Sequence, residues 1–230
     1  MKNNILLLNI FLITSILFGC EDSLQEDPKG LMAPEGFFKT ATDVEAAVMG
    51  AYAEWATVAI GRDLNLMVML RSDMVDIGDR NTVGDRIAIN DFALDASNSL
   101  VNRVWEYFYR SISAANTAIQ AANQIDAEQI VKDELEAEAR FIRAYSYYHL
   151  VRLFGDVPYL NAPVESAAAL DAVGRTPVSE VYEYVIEDLQ FAKDMLPERH
   201  PGDPRNRATQ GTAATILADV YLTLKKYDEA

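Results

Sequence analysis

The chain has 230 residues, 50% of them hydrophobic and 24% charged, which is ample for a sizeable core. Its formal charge of −15 argues against nucleic acid, because phosphate binding needs a basic face, and against charge-driven adhesion to anionic lipid. Acidity of this kind serves solubility and names no ligand. At the N-terminus, Met1 and Lys2 precede an apolar run from Ile5 to Phe18, interrupted by Asn9. That run is too short to span a membrane comfortably and reads as an export signal over residues 1–19. Cys20 follows Leu17-Phe18-Gly19 and is the chain's single cysteine, so no internal disulfide is available. Its place directly behind a small residue and the apolar run fits a lipidated cysteine, with Phe18 standing where a small residue is more usual. On this reading Cys20 is the mature N-terminus, anchored by its acyl chains. The alternative is a free cysteine in an ordinary signal peptide. Residues 20–36, with Pro28, Gly30, Pro34 and Gly36, read as a tether.

The first helix starts at a capping box formed by Thr42 and Glu45. Val44, Val48, Ala51, Tyr52, Trp55 and Val58 then recur at helical spacing, which makes Trp55 core rather than a stacking platform. Residues 60–97 hold neither period. Leu66 to Leu70 suggest a short strand, and Gly78, Gly84 and several Asp and Asn residues favour turns. Connections this long inside a helical domain are commonly functional. This one offers Arg71, Asp73, Arg80 and Asn81, the side-chain types that make paired hydrogen bonds to vicinal sugar hydroxyls. The bland reading is a loop folded on itself by Asp–Arg pairs. Ser97 or Ser99 opens the next helix, with Leu100, Val104, Trp105, Phe108, Ile112, Ala115, Ile119 and Ala122 as its buried stripe. Its alanines admit a neighbouring helix closely. Trp105 lies directly beyond the long connection, so it is a candidate sugar platform as well as a core residue.

Residues 138–159, EARFIRAYSYYHLVRLFGDVPY, organise the rest. Val131, Leu135, Ala139, Ile142, Tyr145, His149, Leu150 and Leu153 form one stripe; Phe141, Ala144, Tyr148 and Val151 form a second. A helix with so wide an apolar surface is covered on more than one side. Gly155 suits the left-handed position past its end, and Pro158 forbids continuation. Arg140 and Arg143 are expected to pair with acids of an adjacent helix, because an unpaired charge among aromatics is costly. His149, with no second ligand in reach, reads as a core histidine. Thr176 caps a helix with Pro177 at its first position; Val181, Tyr182, Val185, Leu189 and Ala192 face inward. After a proline-rich loop that holds His200, Thr209 opens the last helix, carrying Ala213, Ile216, Leu217, Val220, Tyr221 and Leu224.

The motif Arg140-Phe141-Ile142-Arg143-Ala144, then Tyr147-Tyr148, then Leu153-Phe154-Gly155-Asp156-Val157-Pro158, resembles the signature helix of SusD/RagB proteins. Thr176-Pro177-Val178, Trp105-Glu106-Tyr107-Phe108-Tyr109 and the closing NRATQGTAATILADVYLTLKKYDEA resemble the family in its order, and Glu21-Asp22 resembles the acidic export mark of surface lipoproteins in organisms that carry it. The resemblance implies an all-α, tetratricopeptide-like helix-pair scaffold with long irregular loops, and residues 37–230 as an N-terminal helical domain, roughly half of a family member. It also implies a surface lipoprotein of the outer membrane, facing the exterior, that binds an oligosaccharide or other nutrient for a SusC-like TonB-dependent transporter. In such proteins loops between early helices contribute to the ligand face, with Arg71-Ser72-Asp73 near a common Ser-Asp pair.

No catalytic motif stands out: the sequence lacks H-E-x-x-H, G-x-S-x-G, G-x-x-x-x-G-K-[ST] and G-x-G-x-x-G. Two distant histidines make no convincing metal site, and no cofactor is implied. Carboxylates are too numerous for spacing to pick out a glycosidase pair. The expectation is a binding protein and not an enzyme. The alternatives are a peptide-binding tetratricopeptide scaffold without sugar binding and, less favoured, a surface glycan hydrolase.

Overall fold

The computed structural model describes residues 37–57, 59–164, 166–202 and 206–230. The signal segment, Cys20 and the tether lie outside these, as does Val58. The regular elements among the described residues are helices, joined by one isolated antiparallel bridge, Val157 to Thr176.

Helix α1, Ala41–Trp55, begins two residues earlier than its sequence suggests. Thr40 is the cap, and Asp43 supplies the reciprocal bond to the Thr40 N–H at 2.9 Å. Glu45, the other candidate, is occupied elsewhere: its carboxylate accepts from Arg207 at 2.6 Å, a contact 162 residues away that no local reading shows. Residues Ala59–Leu64 form one π-helical turn that runs into the short helix α2, Asn65–Met69. The expected strand over Leu66–Leu70 is therefore absent. A lone strand has no partner for its backbone donors and acceptors, whereas a helical turn satisfies them internally. The connection is also less irregular than expected, because Gly84–Asn90 forms helix α3, which buries Ile89. Seven residues are too few to show a helical period.

Helix α4, Ser99–Gln124, is capped by Asn98, whose side chain accepts from the Leu100 and Val101 N–H groups. A four-residue connection leads to α5, Gln129–Phe154, so the two lie antiparallel. Both expected stripes of α5 face packed surface: Ala139, Phe141, Ile142, Ala144, Tyr148, Leu150 and Val151 are buried. Gly155 ends it at φ 74°, ψ −133°. That is the mirror image of extended backbone rather than the left-handed helical region, and it too favours glycine. A short helix α6, Ala167–Asp171, precedes α7, Val178–Met195. Thr176 does not cap α7. Its backbone is committed to the bridge with Val157, and the side chain that accepts from the Val178 N–H, at 2.9 Å, is Asp156. Helix α8, Gln210–Thr223, is capped by Thr209 as expected.

Each long helix packs against the next in the chain, α1 on α4, α4 on α5, α5 on α7 and α7 on α8, and α1 also touches α5. This is helix-pair stacking, in which every apolar face is covered by a neighbour. Ala118, Ala121 and Ala122 of α4 pack with Val44 and Val48 of α1 and Ala139 of α5, so small side chains seal the end where α4 turns into α5. The larger cluster fills the rest. At that other end α4 begins and α5 finishes.

Candidate functional site

The segment that follows α5 is fixed by polar side chains from beneath. The Tyr109 hydroxyl donates to the Pro158 carbonyl at 2.7 Å, and the Asn116 amide donates to the carbonyls of Leu160 and Ala162. The Leu160 N–H donates to the Tyr147 hydroxyl at 2.6 Å. Burial pushes the Tyr109 and Tyr147 hydroxyls well above the usual phenol range, so both stay neutral donors and acceptors. Beneath them, Arg143 donates to both oxygens of Asp188 at 2.8 Å and to Asn116 at 2.8 Å. Burial works against the Arg143 charge, but pairing with Asp188 holds it above the ordinary guanidinium range. Arg140 donates to Glu136 at 2.6 Å. The two signature arginines are thus structural partners of acids, as their burial requires.

Over this frame lie two concavities that share the ring of Trp105. The larger, about 910 Å³, lies between the start of α4, the end of α5 and the connection from α2 to α4. Buried Met67 and Ile89 line it together with half-buried Trp105, Leu153 and Phe154. The smaller, about 560 Å³, lies on the other side of Trp105, against Tyr109, Pro158, Leu160 and Val173. Trp105 makes a T-shaped contact with Phe154 at 5.0 Å and a tilted one with Tyr109 at 4.9 Å, so its indole is braced by two aromatic rings. A braced, half-exposed ring between two grooves can stack on the apolar face of a pyranose.

Of the residues singled out in the sequence, the structure brings Arg71 and Trp105 together on the larger cleft. Asp73 is exposed just beyond Arg71 and is not among the residues lining it. Arg80 donates to both oxygens of Asp91 at 3.0 Å, and the Asn81 N–H donates to Asp79. Those two belong to a loop that closes on itself. Trp55 stands edge-on to Tyr145 at 4.9 Å and packs on the core. His149 stacks on Phe108 at 5.7 Å; burial, then the nearby Arg152 charge, lowers it to about 4, so it is neutral at pH 7. Sequence reasoning missed Arg152, Phe154 and Arg175 on the cleft. Arg152 and Phe154 were findable as the far end of the signature helix, off its deepest stripe. Arg175 was not, because only the Val157–Thr176 bridge brings it there.

Comparison with known proteins gives one consistent result. A SusD-like family model described as "Starch-binding associating with outer membrane" matches residues 35–222. SusD-like protein P2 of Formosa agariphila is 44% identical over 93% of this chain and 42% of its own length. Among solved structures, a laminarin-binding SusD-like protein superposes with a TM-score of 0.76, at 23% identity over 84% of this chain and 42% of its own. A SusD-like protein of Bacteroides fragilis gives 0.74, at 25% identity over 89% and 39%. The chain spans about 40% of the length of these relatives. With the family model matching most of its helices and its fold shared with solved members, this chain belongs to the SusD-like family.

Proposed function

We propose that this chain is the N-terminal helical part of a cell-surface lipoprotein that captures an oligosaccharide at the Trp105 cleft and passes it to a SusC-like TonB-dependent transporter. The observation that carries this reading is the cleft itself. In a chain of this family, a groove of about 910 Å³ sets the Trp105 and Phe154 rings beside the Arg71 guanidinium. Stacking rings with a few convergent polar groups are what a sugar site needs. The starch-binding description of the family and the laminarin binding of one structural neighbour point the same way. The family's association with the outer membrane agrees with residues 1–19 as a signal peptide, Cys20 as the lipidated residue and residues 20–36 as a tether. Among the described residues no helix is long and apolar enough to cross a membrane.

The test is an affinity-gel and glycan-array screen of the full chain, with breakdown of each polysaccharide assayed in parallel. Binding without breakdown is the expected result, and Trp105→Ala should weaken it about tenfold or more, the size of one lost stacking contact. Breakdown would make the protein a hydrolase. No binding at all, with the transporter recovered on the immobilised chain, would favour the protein-interaction scaffold that its helix-pair architecture also suits.

A further inference from the structure

The larger cleft carries charge of a sign that the chain as a whole does not. Acidic residues outnumber basic ones by 35 to 20, so an arginine here has abundant carboxylates to meet. Elsewhere Arg80, Arg110, Arg143 and Arg207 each have one within 4.0 Å, while Arg86 donates to the Thr82 hydroxyl instead. Arg71, Arg152 and Arg175 have none among the described residues, and all three are exposed and line the same cleft. The carboxylate lining it is Asp95, whose Oδ1 is taken by the N–H and the hydroxyl of Ser97, at 2.8 and 2.6 Å.

Two of these guanidiniums are held by rings instead of acids. Arg71 sits 4.5 Å over the Phe92 ring and Arg152 sits 4.8 Å over that of Tyr148. An aromatic face fixes the position of a guanidinium without cancelling its charge, and it leaves the planar fork of N–H donors open at the edge. A planar fork matches carboxylate or sulfate oxygens in pairs. From this convergence of three arginines without a carboxylate within 4.0 Å, two of them ring-supported, on one aromatic-lined groove, we infer that the ligand is an anionic saccharide, one bearing carboxylate or sulfate groups. The inference rests on the capture reading above and specifies its substrate class. Neutral sugars would use the Trp105 ring but leave three cations without partners. The chain's overall negative charge would repel polyanions elsewhere on its surface, so attraction would be confined to this groove.

The experiment is calorimetry on the full chain, purified in detergent to accommodate its apolar N-terminal run. Three hexasaccharides serve as probes: oligogalacturonate for carboxylate, a carrageenan fragment for sulfate, and maltohexaose as the neutral control, each at 50 and 500 mM NaCl. At least one anionic probe should bind about tenfold or more tighter than maltohexaose at low salt, with the advantage shrinking at high salt, and the stronger of the two identifies the acidic group. The double variant R152Q/R175Q should lose about tenfold for that probe and little for maltohexaose; R71Q, on another element, should lose affinity in the same selective way. Circular dichroism and melting confirm that these exposed substitutions leave the fold intact. Binding of maltohexaose as tight as either anion, or an anion preference that survives both variants, would overturn the anionic assignment and leave the capture reading standing. If none of the three binds, the anionic assignment falls, and the glycan-array screen decides separately whether the capture reading falls with it.

Discussion

Helix α5 carries Arg140, Arg143 and Arg152, and its middle and its last turn treat them oppositely. At the middle of the helix each guanidinium meets an acid: Arg140 meets Glu136, and Arg143 meets Asp188 on α7. Glu138, also buried there, receives Arg207 and the Tyr52 hydroxyl. In the last turn Arg152 is exposed and rests on the Tyr148 ring. Desolvation explains the contrast. Inside the bundle an unpaired charge would be expelled or would unfold its surroundings, so pairing there is a condition of folding. At the cleft water solvates the charge, so the fold tolerates an unpaired arginine and leaves it free for a ligand. On the capture reading, the same side chain is architecture at the middle of the helix and recognition at its end.

The strongest way to break the comparison is to remove one partner from the middle of the helix. Arg143→Ala leaves Asp188 buried at 3% exposure with Arg140, 3.5 Å away, as its remaining cation. A loss of about 3–5 kcal/mol in unfolding free energy is expected, read from urea or thermal melts. Replacing both partners, R143M/D188L, should recover much of it, because no charge is then stranded. A small loss for Arg143→Ala alone would mean that the middle and the last turn differ less than their geometry says.

The next effect is in pH. His149 lies on α5 between Arg143 and Arg152, stacked on Phe108, and its pKa is lowered to about 4, first by burial and then by Arg152, with Asp219 opposing. An unfolded histidine takes up its proton near pH 6.5. Above that pH both states are neutral and no contribution changes. As pH falls from 6.5 toward 4, the unfolded state binds the proton and the folded state resists, so stability drops. The ring is partly solvated, which limits the drop to on the order of 1–2 kcal/mol. In His149→Gln that part of the acid dependence should vanish, seen as a flatter plot of melting temperature against pH across the window.

A smaller effect tests how the cleft's backbone is held. Asp156 caps α7 from the far side of the Val157–Thr176 bridge, and Asp156→Ala should cost about 1 kcal/mol, as loss of an N-cap does. If the bridge holds Arg175 in place through this cap, anion affinity in the variant falls with stability. A variant that loses only stability would show that the cleft is set by the tyrosine and asparagine bonds alone.

These cases also show what was legible in the sequence. The stripes of α4, α5 and α7 were readable because burial imposes a period on consecutive residues. The pairing of Arg140 and Arg143 was readable because an aromatic setting forbids a lone charge. Asp188 as the partner was not, since it looks like any other acid of α7. The caps at Thr40 and Asp156 were missed for one reason: which of two local candidates wins is decided by contacts of Glu45 and Thr176 with distant segments. Helix α3 was missed because it is too short for a period. Within the cleft, Arg71 and Trp105 could be named from residue type and position, whereas Arg175 reaches it only through long-range pairing.

Arg80 sharpens the comparison from inside the exposed region. It is of the same type as Arg71, nine residues away in the same connection, and it too was a candidate for sugar binding. Yet it donates to both oxygens of Asp91 at 3.0 Å and lies within 4.0 Å of Asp76. If availability of the guanidinium decides recognition, Arg80→Ala should leave saccharide affinity within about twofold of the parent. Because its ion pair is solvated, stability should change by about 0.5 kcal/mol or less. Arg71→Ala should weaken binding far more at equal stability, so calorimetry on the two variants side by side isolates the variable. Equal losses from both would show that exposure and position in the connection, and not the absence of a carboxylate partner, make an arginine of this chain part of the site.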